Sequence, residues 1–258
     1  MNHASPDRAR ADDAPARVPT PEQLELYVQP VVRLGDRRIV GWEALVRGSN
    51  AVGVMRTPAD FIPRAEQSGE IHEIGQWVLQ ESLGWLRGHA GPGRTVAVNV
   101  SALQFEHPEF VELVAQALSD ADVAGERLIL ELTESVQLTD RAHARAVVDA
   151  LRDIGVRVAI DDVGAGFADA ELVRTLPAAV LKLDRSIVAR MSMTGARAAV
   201  RRWVELANGC GMSVVAEGIQ TAEDSAAAYE LGCRFGQGTL YGPPVPAWSV
   251  EVPSPCGC

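Results

Sequence analysis

The stretch that decides the fold is Val156-Arg157-Val158-Ala159-Ile160-Asp161-Asp162. Five mostly apolar residues precede two adjacent aspartates. A short apolar run of this kind predicts a strand that is buried on both faces, as in a parallel sheet. The aspartates mark the point where this strand reaches one edge of the sheet.

Similar short apolar runs recur along the chain and alternate with amphipathic stretches that are long enough for several helical turns. Repeated strand–helix units predict a parallel sheet covered by helices, either an open doubly wound sheet or a closed barrel. The number of units, about seven or eight, favours the barrel. The predicted strands include Val96–Val98, Leu128–Leu130, Val156–Ile160, Val180–Leu181 and Ser213–Ala216, and the predicted helices include His72–Leu86, Glu109–Leu118, Arg141–Asp153 and Arg197–Asn208.

Length, composition and charge limit the class of protein. The 258 residues fit a single α/β barrel domain, and 47% hydrophobic with 22% charged residues is typical of a globular protein. A net charge of −10 argues against nucleic-acid polymers and anionic membranes as partners. No segment approaches the ~18 consecutive apolar residues of a membrane span.

The ends of the chain predict tails around one domain. Residues 1–21 are rich in Ala, Pro, Asp and Arg and lack the apolar segment of a secretory signal, which predicts a disordered tail. We expect the barrel to occupy residues 22–247 and a flexible tail to occupy residues 248–258. The four cysteines have no zinc-ligand spacing, and we expect them to be reduced in a cytoplasmic protein.

Polar side chains follow nearly every apolar run. Taken singly, such a residue is commonly a helix cap, a turn residue or a solvated side chain. Caps do not require carboxylates or amides after nearly every strand, and the carboxyl ends of barrel strands meet on one rim. The residues in this set are Glu43, Asn99, Glu131, Asp161, Asp162, Lys182, Glu217 and Gln237.

Carboxylates gathered on one rim repel one another and raise one another's pKa values unless cations bind between them. The candidate ligands are all oxygens, which suit magnesium, manganese or calcium better than zinc or copper. The adjacent Asp161 and Asp162 are suited to two ions, and paired ions are a common device for hydrolysing phosphodiesters.

The sequence resembles the EAL family of cyclic di-GMP phosphodiesterases from about Glu25 to Pro246. The signature is Glu43-Ala44-Leu45 followed by Val46-Arg47, and nine blocks match in order. The other blocks are Tyr27-Val28-Gln29-Pro30-Val31-Val32, Phe61-Ile62-Pro63-Arg64-Ala65-Glu66, Asn99-Val100-Ser101, Glu131-Leu132-Thr133-Glu134-Ser135, Asp161-Asp162-Val163-Gly164-Ala165-Gly166, Leu181-Lys182-Leu183-Asp184, Ala216-Glu217-Gly218 and Gln237-Gly238.

The resemblance implies a modified TIM barrel in which one strand is antiparallel to the rest. It implies hydrolysis of cyclic di-GMP to linear pGpG with two divalent cations, magnesium or manganese. By the same resemblance, the shell of one ion is Glu43, Asn99, Glu131 and Asp161, and the shell of the other is Asp161, Asp162 and Glu217.

The resemblance also assigns roles around the ions. Lys182 would hold the attacking water and stabilise charge on the phosphate. Glu43 counts among the catalytic residues, and for Glu217 the sequence leaves ligation and proton removal open. The positions that match substrate contacts are Gln29, Arg47 and Gln237, and Glu134 matches a position that anchors the loop at residues 161–166.

Five residues depart from the family pattern without removing a predicted ligand. Val163 and Ala165 replace a usual Phe and Thr, Gln220 replaces a Glu, Leu103 a frequent Arg, and Gly48 a common Trp. The altered loop at residues 161–166 and Gln220 motivate an alternative function, a weakly active or inactive cyclic di-GMP receptor. A scaffold that acts only through protein contacts is a third hypothesis. We also expect a stand-alone catalytic domain and consider a homodimer.

Overall fold

The structure, a computed structural model, describes residues 17–50, 53–89, 91, 93–133, 140–165, 170–191 and 194–250. Within these residues the chain forms strands and helices that alternate from β4 onward. The strands are β1 (Leu24–Arg33), β2 (Ile39–Ser49), β3 (Met55–Arg56), β4 (Thr95–Val100), β5 (Leu128–Thr133), β6 (Arg157–Val163), β7 (Val180–Leu183), β8 (Ser213–Ala216), β9 (Phe235–Gln237) and β10 (Val245–Pro246). The helices are α1 (Ile62–Ser68), α2 (Ile71–His89), α3 (Ala102–Phe105), α4 (Phe110–Ala121), α5 (Arg141–Asp153), α6 (Ala170–Thr175), α7 (Arg185–Val188), α8 (Thr194–Gly209) and α9 (Ala222–Glu230).

Eight of the strands close into a barrel. Neighbouring strands pair in parallel in the order β2–β4–β5–β6–β7–β8–β9. Strand β1 lies between β2 and β9, pairs antiparallel with both, and thereby closes the ring. The structure therefore confirms the predicted TIM-like barrel with one antiparallel strand.

The two faces of each barrel strand carry different side chains, because successive residues of a strand point to opposite sides. In β4, Val96 and Val98 are buried in the main core, which the strands share with apolar side chains of the covering helices. Ala97 and Asn99 alternate with them and point into the barrel. The same alternation in the other parallel strands explains why their sequences read as nearly continuous apolar runs.

The inward residues form two successive layers. The lower one, here called the inner apolar layer, includes a small cluster separate from the main core. Two residues further along each strand, a polar layer follows at the carboxyl-terminal end of the barrel. The lower layer includes Ala97, Ile129, Ala159, Val180 and Val215, and the polar layer includes Asn99, Glu131, Asp161, Lys182 and Glu217.

Helix α5 shows how local sequence sets the covering helices. It spans Arg141–Asp153, as predicted, and begins after Asp140, whose carboxylate accepts hydrogen bonds from the backbone N–H groups of Ala142 (2.8 Å) and His143 (3.0 Å). These bonds satisfy donors that have no partner within the helix. The buried side chains of α5 recur at helical spacing along one face.

Most predicted strand ends lie inside the observed strands. Strand β2 continues through Glu43 to Ser49 while pairing with the antiparallel β1, and β6 continues through Asp161 and Asp162 to Val163 with an irregular register. Strands β4, β5 and β7 likewise extend through Asn99, Glu131 and Lys182.

The described parts of the two predicted tails contact the barrel. Val18 is 8% exposed and belongs to the main core. The Trp248 Nε1 donates a hydrogen bond of 2.9 Å to Glu25 Oε1. Residues 1–16 and 251–258, together with Glu134, lie outside the described residues, so the predictions for them remain predictions. Among the helices that the structure describes, none combines the length and hydrophobicity needed to cross a membrane.

Candidate metal centre

The centre of the polar layer is Lys182, the only lysine in the sequence. Its side chain projects from β7 and is nearly fully buried. The Nζ atom lies 2.7 Å from Glu217 Oε1, 2.8 Å from Glu131 Oε2, 3.2 Å from Asp161 Oδ2 and 3.4 Å from Glu43 Oε2. One ammonium faces four carboxylates, so the ionised cluster carries an excess of negative charge that attracts cations.

Amide side chains hold Glu43 in place. Asn99 Nδ2 donates to Glu43 Oε1 (2.9 Å), and Gln237 Nε2 donates to Glu43 Oε2 (2.7 Å). Gln237 Nε2 also lies 2.9 Å from Gln29 Oε1, and Gln29 Nε2 donates to the carbonyl oxygen of Gly242 (3.0 Å). Side chains from β4 and β9 thus meet at the Glu43 carboxylate of β2, and β1 joins them through Gln29.

Asp161 and Asp162 reach the same place despite being adjacent in β6. Regular strand geometry would point them to opposite faces. Asp162 instead has φ of 59°, in the left-handed region, and its N–H donates to Asp161 Oδ1 (2.8 Å). This conformation is uncommon for a residue other than glycine and costs about 1 kcal/mol. It re-aims the Asp162 carboxylate toward the end of the barrel.

Asp161, Asp162 and Glu217 are arranged so that they could hold a divalent cation. Each has a carboxylate oxygen that lies within 4.8 Å of the corresponding oxygens of the other two. Two ligands of one magnesium or calcium ion, each bound at ~2.0–2.6 Å, lie at most ~5 Å apart. A second observation also fits a bound cation or its water. Gln237, which is bonded to Glu43, has a buried Oε1 with no partner among the described residues. The residues present therefore fit a metal.

Burial and crowding shift the pKa values of the cluster. Burial raises the pKa of Glu217 to about 8, although Lys182 opposes the shift. Burial also raises the pKa of Glu131 and Asp161. For Glu43, burial is outweighed by Lys182, Asn99 and Gln237, so its pKa is lowered.

The pKa of Lys182 shifts in the direction that its neighbours dictate. Burial lowers it, but the surrounding carboxylates raise it more, so it lies well above its ordinary value. The lysine therefore stays charged, while part of the carboxylate set holds protons that a cation would have to displace.

The predicted substrate contact Arg47 lies further along β2, half-buried. Its Nη1 donates to the carbonyl oxygen of Val46 (2.9 Å), and its guanidinium lies 5.3 Å from the centre of the Tyr27 ring. Sequence analysis assigned no role to Tyr27. The signal was available, because Tyr27 and the predicted contact Gln29 are two residues apart in β1 and share a face.

A second group that the sequence analysis missed is Asp184, whose charge raises the pKa of Asp162 after the larger effect of burial. Its carboxylate also accepts a hydrogen bond of 2.8 Å from the N–H of Ser186 at the start of α7.

The departures from the family pattern lie around the cluster. Val163 is buried in the main core, while Gln220 is exposed and Leu103 is 45% exposed. Gly48 has a packing reason: a Cβ there would lie 2.5 Å from Pro19 Cγ. The absence of a side chain at position 48 lets the N-terminal segment cross β2.

The chain forms a closed barrel, and the carboxyl-terminal end of the barrel carries an acidic cluster whose candidate ligands are all oxygens. Barrels of this class are suited to divalent-cation chemistry. The model of the EAL domain matches residues 15–244, so the chain belongs to the EAL domain family. This confirms the resemblance found in the sequence.

Relatives and solved structures agree with this membership. The chain is 37% identical over 231 residues to the bifunctional diguanylate cyclase/cyclic di-GMP phosphodiesterase MucR of Pseudomonas aeruginosa, covering 87% of this chain and 33% of that protein. A structure described as the PaMucR phosphodiesterase in complex with c-di-GMP is 36% identical, with a TM-score of 0.82, covering 89% of this chain and 95% of that one. The EAL domain of Mycobacterium smegmatis DcpA is 29% identical, with a TM-score of 0.74, covering 90% and 99%.

The chain spans about a third of the length of the curated relatives that it matches, with 33%, 31% and 38% for three of them. The likeness therefore concerns the barrel, and the activities of whole relatives do not transfer with it.

Proposed function

We propose that the barrel is a phosphodiesterase that hydrolyses one phosphodiester bond of cyclic di-GMP, giving linear pGpG, with two magnesium or manganese ions. The observation that carries this proposal is the buried set of carboxylates around Lys182, with Asp162 beside it. When bound, the ions would lower the pKa of the attacking water and neutralise charge on the phosphate.

The contacts support the division of residues between two ions that the family resemblance implies. Asp161, Asp162 and Glu217 share one volume and suit one ion. Glu43, Asn99 and Glu131, again with Asp161, suit the other, because three of these four surround Lys182 and Asn99 is bonded to Glu43.

The buried charge of Lys182 supports a role at the reacting phosphate. The surrounding carboxylates keep the ammonium charged, and in this role it would stabilise charge that develops on the phosphoryl oxygens. It would also hold the attacking water by a hydrogen bond.

Glu217 suits either ligation or proton removal, and both roles stay open. Burial raises its pKa to about 8 without a cation, and a bound cation would lower that pKa because it competes with the proton. In the proposed step a water oxygen forms a bond to phosphorus, a carboxylate such as Glu217 takes the water proton, and the bond from phosphorus to the ribose O3′ breaks. The O3′ takes a proton from solvent water as it leaves and becomes a hydroxyl, while the phosphate stays on the other ribose, so the product is linear.

Substrate contacts would come from the antiparallel edge of the barrel. Arg47 suits a phosphate because its guanidinium donates two parallel hydrogen bonds, and Tyr27 supports it by stacking. Gln29 is joined to the cluster through Gln237, which supports its assignment as a further substrate contact.

The test is a turnover assay with Glu43→Gln as the decisive variant. Purified protein is incubated with cyclic di-GMP plus magnesium, manganese or chelator, and the products are separated by chromatography. We expect metal-dependent pGpG from the wild type and at least a ~100-fold loss in Glu43→Gln, since that carboxylate is central to the cluster. Glu112→Gln, an exposed position on α4, is the matched control and keeps full turnover.

The same assay decides between enzyme and receptor. Absence of pGpG under every metal condition, with cyclic di-GMP still bound in equilibrium dialysis, would replace the enzyme by the receptor. Absence of both turnover and binding would favour the third hypothesis, a scaffold that acts only through protein contacts.

A cytoplasmic location and a homodimer also remain proposals. The homodimer is tested by light scattering of the purified protein, and a monomer mass at micromolar concentration would refute it.

A further inference from the structure

A cavity of about 430 Å³ lies inside the barrel and extends from the polar layer, along the inner apolar layer, toward the amino-terminal ends of the strands. Ala97, Ile129, Val180 and Val215 contribute to its walls, and Glu131 and Lys182 also line it. Packed protein interiors rarely contain voids larger than a water molecule. The volume falls in the range of small-molecule sites, about 300–1,000 Å³.

The cavity exists because small side chains occupy inward positions. Ala97 and Ala179 line it, where larger residues would fill the barrel. Its other end lies at the amino-terminal end of the strands, since Arg157 and Ser213 begin β6 and β8. The cavity thus has an apolar middle between the polar layer and a mouth at the opposite end from the candidate metal centre.

Arg157 gives the mouth a cationic donor that is not fully used. Its Nη2 donates to the carbonyl oxygen of Glu126 (2.8 Å), but its Nε is buried and contacts no acceptor among the described residues. Among the described residues, Nη2 is the guanidinium nitrogen of Arg157 that has a hydrogen-bond acceptor, so the cation that lines the cavity has donors left for an incoming anion. Arg33 also lines the mouth, but its Nη1 is paired with Asp36 Oδ2 at 3.1 Å.

We propose that this cavity binds a small amphipathic carboxylate, with the anion on Arg157 at the mouth and the hydrocarbon chain against the inner apolar layer. The length is consistent, because the four residue steps from Arg157 to Asp161 span about 13 Å of strand, which exceeds an extended eight-carbon chain. The proposal concerns binding alone and does not depend on the hydrolysis proposed above.

Octanoate is the probe, measured by isothermal titration with the full chain. We expect saturable binding of one octanoate per chain. The neutral 1-octanol should bind at least about tenfold more weakly, since it lacks the charge-assisted hydrogen bond to the guanidinium.

Two variants locate the binding site. Arg157→Gln should weaken octanoate binding about tenfold, because it removes the charged donor at the mouth. Ala97→Leu should abolish binding by filling the apolar part of the cavity. Arg202→Gln, an exposed arginine on α8, is the matched control and should leave the dissociation constant unchanged.

The result that overturns the proposal is equally direct. Octanoate heats that do not saturate, or an unchanged dissociation constant in Arg157→Gln, would show that the cavity is not a carboxylate site. If Ala97→Leu does not fold by circular dichroism, Arg157→Gln and the octanol comparison still decide.

Discussion

Lys182 is the residue on which the charge balance of the site depends. It contacts Glu43, Glu131, Asp161 and Glu217 from the inside of the barrel, where water does not screen the charges. Removing one partner of a buried ion pair usually costs more than the pair contributes, because the remaining charges are left uncompensated.

We predict that Lys182→Met lowers kcat about 100- to 1,000-fold with a smaller change in KM, because the ammonium acts mainly on charge that develops in the transition state. Steady-state kinetics with cyclic di-GMP and saturating manganese measure both constants. A variant whose KM rises while kcat is unchanged would make Lys182 a substrate-binding residue instead.

Asp162 shows strain at a single residue. Its left-handed backbone conformation is what brings two consecutive aspartates to one candidate ion. Strained conformations persist where the surrounding structure holds them and often occur at functional sites.

At the scale of elements, the crossing of β2 by the N-terminal segment depends on Gly48. A Cβ at that position would meet Pro19 Cγ at 2.5 Å and Phe61 Cε1 at 3.2 Å. Both contacts are closer than ordinary packing, and the Pro19 ring cannot move away without moving its backbone.

We predict that Gly48→Ala lowers the free energy of unfolding by about 1–3 kcal/mol, as overpacking commonly does. Urea denaturation measures the change. Gly84→Ala on α2 is the matched control: no neighbour lies within 4 Å of its added Cβ, and alanine favours the helix by about 1 kcal/mol. Equal stability of Gly48→Ala and the wild type would mean that the segment does not pack against β2 in solution.

The two described cysteines differ in their surroundings. Cys233, between α9 and β9, is buried, and burial raises the pKa of its thiol to about 12. Cys210, just after α8, is exposed. Because the thiolate is the reactive form, the buried thiol is inert at ordinary pH.

We predict that iodoacetamide at pH 8 modifies Cys210 and leaves Cys233 unmodified in the native protein, whereas both react in urea. Peptide mapping by mass spectrometry gives the extent at each position. Rapid native modification of Cys233 would indicate that the α9–β9 region opens more readily than its packing implies.

At the scale of the whole molecule, the buried acidic cluster couples the stability of the fold to pH and to cations. The pKa of Glu217 rises from its ordinary 4.5 to about 8 on folding, so its contribution to stability is lost as pH rises through this range. A cation that binds the ionised carboxylates reverses this trend, because it binds the folded chain and competes with protons.

We predict that magnesium or manganese at about 100 times its dissociation constant raises the unfolding temperature by about 5–10 °C at pH 8.5. The rise should be smaller at pH 6.5, where Glu217 is protonated. Calorimetric scans with and without the cation measure it, and Glu217→Gln should reduce the pH difference. A rise equal to that from potassium chloride of the same ionic strength would contradict a specific site.

Much of the fold could be predicted from the sequence because each buried strand reads as a short apolar run. The run before Asp161 and the helix at Arg141–Asp153 were identified from local pattern alone. The number of strand–helix units favoured a closed barrel. The antiparallel strand came only from the family resemblance, since strand order and direction depend on contacts between distant residues.

The candidate site was predictable in composition but not in arrangement. The sequence indicates which carboxylates share a rim. It does not indicate that Asp162 adopts a left-handed conformation or that Asn99 and Gln237 both hold Glu43, because these depend on side-chain geometry across the barrel. The cavity beneath the polar layer likewise results from the sum of many side-chain volumes.

The chain has a single lysine, and this lysine lies inside the barrel. Its side chain can therefore serve as a spectroscopic probe of the site. Protein grown with ¹⁵N-lysine would give one side-chain ammonium resonance in a nuclear magnetic resonance spectrum, with no other lysine to overlap it. Burial should slow its proton exchange enough to be observed. Titrating any ion, nucleotide or carboxylate against that one signal would report on the candidate metal centre without altering a residue.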